Sequence, residues 1–225
     1  LRARLALGET AETILLLEHP DVITYGSGAK DGNTRARDTD LRRLGYDVFR
    51  VNRGGDVTWH GPGQLVGYPL LDLARHGSDV HAYLRALEGA LIEALADFGI
   101  DAGRREGYAG VWLDPRRKIA SIGVGLRRWL TLHGFALNVN CDLARFDVIV
   151  PCGLSDVRMV SMASVLGHEL DFAAVADRVE VALRKQGHDK GLFGWLGAAP
   201  WSNPGFSGFF LSLLIFGFIG GISGV

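Results

Sequence analysis

Arg53-Gly54-Gly55-Asp56-Val57-Thr58-Trp59-His60-Gly61-Pro62-Gly63-Gln64 is the stretch on which the reading of this chain turns. It follows a strand-like segment at 48–52 and gathers four glycines, a proline, an arginine and a histidine into twelve residues. Glycine lets backbone amides approach a ligand because no Cβ intervenes, and proline fixes one turn of the path. Arg53 offers a planar donor fork, and His60 a donor or acceptor near neutral pH. A tight connection between strands would account for Gly61-Pro62-Gly63 alone. Arg53, Thr58 and His60 together point to a binding loop for a small polar head group or a carbonyl.

Around this loop, strands and helices alternate unevenly. Residues 13–18 read as a buried strand ended by His19-Pro20, and 26–33 as a Gly-, Ser- and Asn-rich loop. A short helix is expected at 40–44, stopped by Gly45. Residues 64–73 look extended, with Pro69 pushing part of that segment towards a sheet edge. The clearest helix covers 79–98: Val80, Tyr83, Leu84, Leu87, Leu91, Leu95 and Phe98 keep helical spacing, with Ser78 as N-cap and Gly99 as stop. Strands are expected at 111–113, 119–124 and 131–140, and a second amphipathic helix at 171–185. This pattern predicts one mixed-sheet domain, α+β or α/β.

The 225 residues suffice for one sizeable domain, placed at 1–186. A net charge of −1 without a long basic stripe excludes a nucleic-acid footprint. The short clusters Arg116-Arg117-Lys118 and Arg127-Arg128 suit an acidic protein partner. Cys141 and Cys152, without Cys-x-x-Cys spacing, fit a reducing cytosol rather than a disulfide framework, and the expected location is cytoplasmic. No charged residue follows Lys190. The uncharged run 206–225, with Gly-x-x-x-Gly spacings at Gly217/Gly221 and Gly220/Gly224, is a candidate membrane-associating segment within a separate tail, 187–225. Its five glycines also make poor helix material in water.

Two residues carry the candidate chemistry. Cys152 lies between Pro151 and Gly153, which restrict the approach and leave room for a substrate, a setting suited to a nucleophile. Cys141, in Asn140-Cys141-Asp142, reads as a packed small hydrophobe. A thiol with an ordinary pKa near 8.5 is only slightly ionised at neutral pH, so a neighbouring cation would help. The chain has only four lysines among its 24 basic residues. Lys118 nevertheless follows Arg116-Arg117 directly and opens an apolar strand. Lysine can cycle between cation and base where arginine cannot, although a snorkelling lysine at a strand start would look the same. His60 and His133 lack metal-ligand spacing, so no metal is expected and hydrogen bonding is the preferred role.

The Arg53–Gln64 motif, then Lys118-Ile-Ala-Ser-Ile-Gly123, His133-Gly-Phe-Ala-Leu-Asn-Val-Asn140 and Pro151-Cys152-Gly153, resemble in order the lipoyl(octanoyl) transferases, over roughly residues 13–165. The resemblance implies a class II synthetase and biotin–lipoate ligase-like core, a mixed sheet flanked by helices. It implies transfer of an octanoyl group from acyl carrier protein, through a cysteine thioester, to a lysine of lipoyl domains. Those domains belong to 2-oxoacid dehydrogenase complexes and the glycine cleavage H protein. A monomer is the default expectation, and such a transfer requires no cofactor.

By the same resemblance Cys152 is the acyl-thioester nucleophile, and Lys118 the lysine that lowers its pKa. The acyl-substrate segments are Arg53, Gly54, Gly55, Asp56, Val57, Thr58, Trp59 and His60; Ser121, Ile122 and Gly123; and Gly134, Phe135 and Ala136. Trp59 stands where tyrosine is usual in the family, in a packing role, and the tail beyond about Gly187 has no counterpart. An ATP-dependent lipoate or biotin ligase, or a non-catalytic membrane-tethered module that binds lipoyl domains, is the alternative.

Overall fold

The computed structural model describes residues 12–30, 32–153 and 156–189, with the side chains of Cys152 and of residues 187–189 outside that description. Residues 206–225, the candidate membrane segment, also lie outside it. Among the described residues no helix is long and apolar enough to cross a membrane.

Among the described residues ten strands form two sheets: β1 (Thr13–Leu17), β2 (Val22–Tyr25), β3 (Asp47–Arg50), β4 (Val57–His60), β5 (Gln64–Leu70), β6 (Gly103–Arg105), β7 (Tyr108–Asp114), β8 (Arg117–Arg127), β9 (Leu130–Asn138) and β10 (Arg158–Met159). The large sheet runs β1-β5-β9-β8-β7-β6 with antiparallel neighbours, and β10 joins the start of β8 in parallel. The small sheet, β3-β2-β4, pairs β2 with β3 in parallel and with β4 antiparallel. Four α-helices among the described residues accompany them: α1 (Asp38–Arg43), α2 (Val80–Asp97), α3 (Met162–Leu166) and α4 (Phe172–Asp189). The expected mixed sheet with flanking helices is what the chain adopts.

Helices α2 and α4 cover one face of the large sheet. Tyr83, Leu87, Leu91 and Leu95 of α2, with Val175, Val179 and Leu183 of α4, pack in one core with Leu65, Val111, Ile119, Phe135 and Leu137 of the strands. The other face carries Val66, Tyr68 and Ala136, and looks towards the functional loop. A second core, built on Ile23, Val57, Trp59 and Phe146, fills the small sheet.

The elements correct several expectations. The cap of α2 is Asp79, whose carboxylate accepts from the Ala82 N–H at 2.9 Å, not Ser78, which takes a positive φ of 53°. Val57–His60, expected as loop, is a strand. Pro69 is not at an edge: β5 lies between β1 and β9 and is buried throughout. Its missing N–H is tolerated because the β5–β9 ladder ends at Gly67, and the Thr131 hydroxyl bonds the Pro69 carbonyl at 2.6 Å.

One irregularity decides where the chemistry faces. Val111 pairs with Ala120 but Trp112 pairs with Lys118, so Ile119 is an extra residue in β8. Strict alternation would put Lys118 on the helix-covered face with Ala120 and Ile122. The bulge turns it instead to the face of Ser121 and Gly123.

Leu91 is fully buried between α2 and the sheet. Leu91→Ala should cost about 2–5 kcal/mol, read as a lower urea midpoint with an unchanged m-value.

Candidate active site

A cleft opens between the second face of the large sheet and the small sheet. Its atom-free space, including the open mouth, is about 720 Å³. The loop residues Arg53, Gly54, Gly55, Asp56, Val57, Thr58 and His60 form one wall. Ser121, Ile122 and Gly123 of β8 and Gly134, Phe135 and Ala136 of β9 form the floor, and Lys118, Met159 and Pro151 also line the cleft. Gly123 is required where the two meet: a Cβ there would lie 2.9 Å from the Gly54 carbonyl oxygen.

The structure brings together almost every candidate the sequence singled out. Trp59 is the exception among the substrate segments. Its ring turns into the second core, edge-on to Phe146 at 5.0 Å, and its indole N–H donates to Asp21 at 2.8 Å. Pro151–Gly153 is a turn of 3₁₀ helix whose Pro151 reaches the cleft, while the Cys152 side chain lies outside the described residues. Cys141 is buried in the second core, and burial pushes its thiol up to about 12, as suits an inert packing cysteine.

Lys118 is buried in a strand start yet aimed at the cleft. Its ammonium donates to the Ala109 carbonyl at 3.0 Å and lies 4.8 Å from the centre of the Trp112 ring. Both contacts stabilise a cation away from bulk water.

Arg53 serves the loop itself. Its guanidinium donates to the Thr24 carbonyl at 2.7 Å, the Thr24 hydroxyl at 2.9 Å and the Gly54 carbonyl at 3.0 Å. Asp56 accepts from the Val57 N–H at 2.7 Å and from the Asn33 amide. Those side chains tie the loop down from within, and Gly54 and Gly55 line the cleft.

Three histidines and a tyrosine flank this wall. His19 Nε2 and the Tyr68 hydroxyl are 2.7 Å apart, and the His19 ring lies 5.7 Å from that of His60. Burial, with the neighbouring His19 and Arg53 charges, pulls His60 down to about 3. Burial pulls His19 to about 4, and burial with Arg53 does the same to His133. All three are therefore neutral at physiological pH.

The tautomer of His60 follows from its neighbours. The Asn138 amide donates to the Val160 carbonyl at 2.9 Å, so its oxygen accepts from Gln64 Nε2, also at 2.9 Å. The Gln64 oxygen must then accept from His60 Nδ1, at 2.8 Å, which leaves Nε2 as an acceptor.

Sequence reasoning passed over Tyr68, Thr24, Phe146 and Met159, which also line the cleft. Only the pairing of distant segments shows them. Gln64 and Asn138, by contrast, stood within the motifs already marked.

The folded-state values of these histidines lie below the ordinary 6.5, so the unfolded chain binds protons more readily. Folding free energy should be flat above pH 6.5. Below it, each histidine should remove about 1.4 kcal/mol per pH unit until roughly pH 4. Denaturant titrations between pH 7.5 and about 4.5 measure the slope, and His133→Asn should lessen it.

The lipoyl protein ligase A/B catalytic domain model matches residues 1–184. The octanoyltransferase of Geotalea uraniireducens is 51% identical over 179 residues, covering 80% of this chain and 80% of that protein. That of Solibacter usitatus is 53% identical over 171 residues, covering 76% of each. Among solved structures, the bipartite lipoate protein ligase of Thermoplasma acidophilum superposes with a TM-score of 0.64 at 16% identity, over 79% of this chain and 71% of that one. Lipoate-protein ligase A bound with ATP gives 0.64 at 17%, over 79% and 73%. These last two share the fold. The two sequence relatives are named octanoyltransferases, and the chain belongs to the lipoyl protein ligase A/B catalytic-domain family.

Proposed function

We propose that this protein is an acyltransferase that moves an octanoyl group from acyl carrier protein to a lysine of lipoyl domains through a thioester on Cys152. The observation that carries the reading is that Lys118 and Pro151, the residue before Cys152, line one cleft, walled by the Gly-rich loop and floored by strand backbone with Val66, Tyr68 and Ala136. An octanoyl chain needs such an apolar floor, and its carbonyl needs donors at the loop.

The Cys152 thiolate attacks the thioester carbonyl of octanoyl-acyl carrier protein, and the carrier thiolate departs, taking its proton from Lys118. A lipoyl-domain lysine amine then attacks the new thioester. Its proton passes to Lys118, the C–N bond forms, and the Cys152 thiolate is released. Exchange between thioesters is nearly isoenergetic, while amide formation runs downhill, so neither ATP nor a metal enters the balance. The donor and acceptors in this reading are those of the cytoplasm: acyl carrier protein, the lipoyl domains of 2-oxoacid dehydrogenase complexes, and the glycine cleavage H protein. Residues 1–186 would form the catalytic unit, working as a monomer, and 187–225 would be dispensable for transfer.

Intact-mass spectra after mixing with octanoyl-acyl carrier protein should show one octanoyl adduct, removed by hydroxylamine and absent in Cys152→Ser. A wild-type spectrum without adduct refutes the proposal, and ATP-dependent attachment of free lipoate by Cys152→Ser would establish the ligase alternative. Lys118→Arg keeps the charge but cannot release a proton. It should lower turnover about 10²-fold or more, and full activity would exclude the proton-transfer role.

A further inference from the structure

Glu88 is a carboxylate where α2 should have an apolar side chain. It shares the sheet-facing stripe of Leu84, Leu91 and Leu95 and is 1% exposed. Arg85 reaches its Oε2 at 2.7 Å and Arg104 of β6 at 3.0 Å. Two half-exposed arginines at the rim do not by themselves call for a carboxylate sunk to the sheet. Its other oxygen, Oε1, accepts the Gly110 N–H at 3.1 Å.

That N–H belongs to the same peptide unit as the Ala109 carbonyl, which accepts the Lys118 ammonium at 3.0 Å. One peptide group thus has a carboxylate at its N–H end and the cleft ammonium at its C=O end. Hydrogen bonds in series polarise one another, so the carboxylate makes the Ala109 oxygen a stronger acceptor. The backbone is bent to allow this. Gly110 has φ 127°, and a Cβ there would lie 2.5 Å from the Ala120 oxygen and 2.6 Å from Lys118 Cε. Arg105 also faces this corner, its guanidinium 4.9 Å from the centre of the Trp112 ring that Lys118 faces.

We infer that Glu88 is a positioning residue for Lys118: it acts through the Ala109–Gly110 peptide to hold the ammonium in place, charged and directed at the cleft. This inference rests on the transfer reading above for the use to which Lys118 is put. The carboxylate never meets substrate, since helix α2 lies on the far face of the sheet from the cleft.

Glu88→Gln keeps the length and an acceptor oxygen but removes the charge, and Arg85 and Arg104, 52% and 41% exposed, can turn to solvent. With octanoyl-acyl carrier protein as donor, kcat should fall about tenfold, KM should stay within about twofold, and the pH–rate profile should shift towards acid on its alkaline side. A folded variant with wild-type kcat and an unmoved profile overturns the inference. A clamp between helix and strand would change the melting temperature without moving that profile.

Should Glu88→Gln fail to fold, carbon-detected NMR of the wild-type protein decides. The Ala109 carbonyl and Glu88 Cδ resonances should step at the pH where Lys118 Cε titrates, and a Glu88 Cδ signal flat through that pH overturns the inference. Neither NMR reading depends on Cys152. A wild-type protein that forms no adduct therefore removes the transfer reading, while the NMR steps would still report the coupling.

Discussion

An ammonium held under a sheet needs partners that stay with it, and the organisation of this cleft follows from meeting that need. Lys118 is 3% exposed, and burying a charge without compensation is costly. Its compensation comes from three directions: a carbonyl on the adjoining β7, the face of Trp112 on the same strand, and, through one peptide unit, a carboxylate on a helix. The β8 bulge at Ile119, the positive φ of Gly110 and the burial of Glu88 are then parts of one arrangement.

The opposite wall solves a different problem. The Gly-rich loop must present backbone without collapsing on the strands beneath it. Arg53 and Asp56 tie it down from within, and Gly123 lets it rest on β8. Three histidines nearby are kept neutral by burial, so the positive charge of the site is concentrated in Arg53 and Lys118 rather than spread over the wall. A neutral wall suits an acyl chain, and a fixed His60 tautomer keeps an acceptor in place without a charge.

Ligases and transferases share this fold, as the superpositions at 16% and 17% identity illustrate. The fold therefore cannot assign the reaction; side chains do. Here Pro151 and Lys118 line one cleft, and the sequence relatives near 50% identity carry the octanoyltransferase name.

The sequence alone determined the long helices, the motif order and nearly every wall of the cleft. Helical spacing from Val80 to Leu95 leaves few alternatives, and a loop with four glycines, Arg53 and His60 has few uses. Pro69 and Ser78 misled because local rules ignore where a ladder stops and which carboxylate is free to cap. The β8–β9 turn, Arg128-Trp129 with both φ positive, carries none of the Asn or Gly that usually marks such a hairpin. Tertiary structure decided which way Lys118 points, since one extra residue in a ladder reverses a side chain's face. It also decided that Glu88 of α2 shares a peptide bond's two ends with that lysine. Both depend on register between segments distant in the chain, and a one-residue change in register leaves no trace in local periodicity.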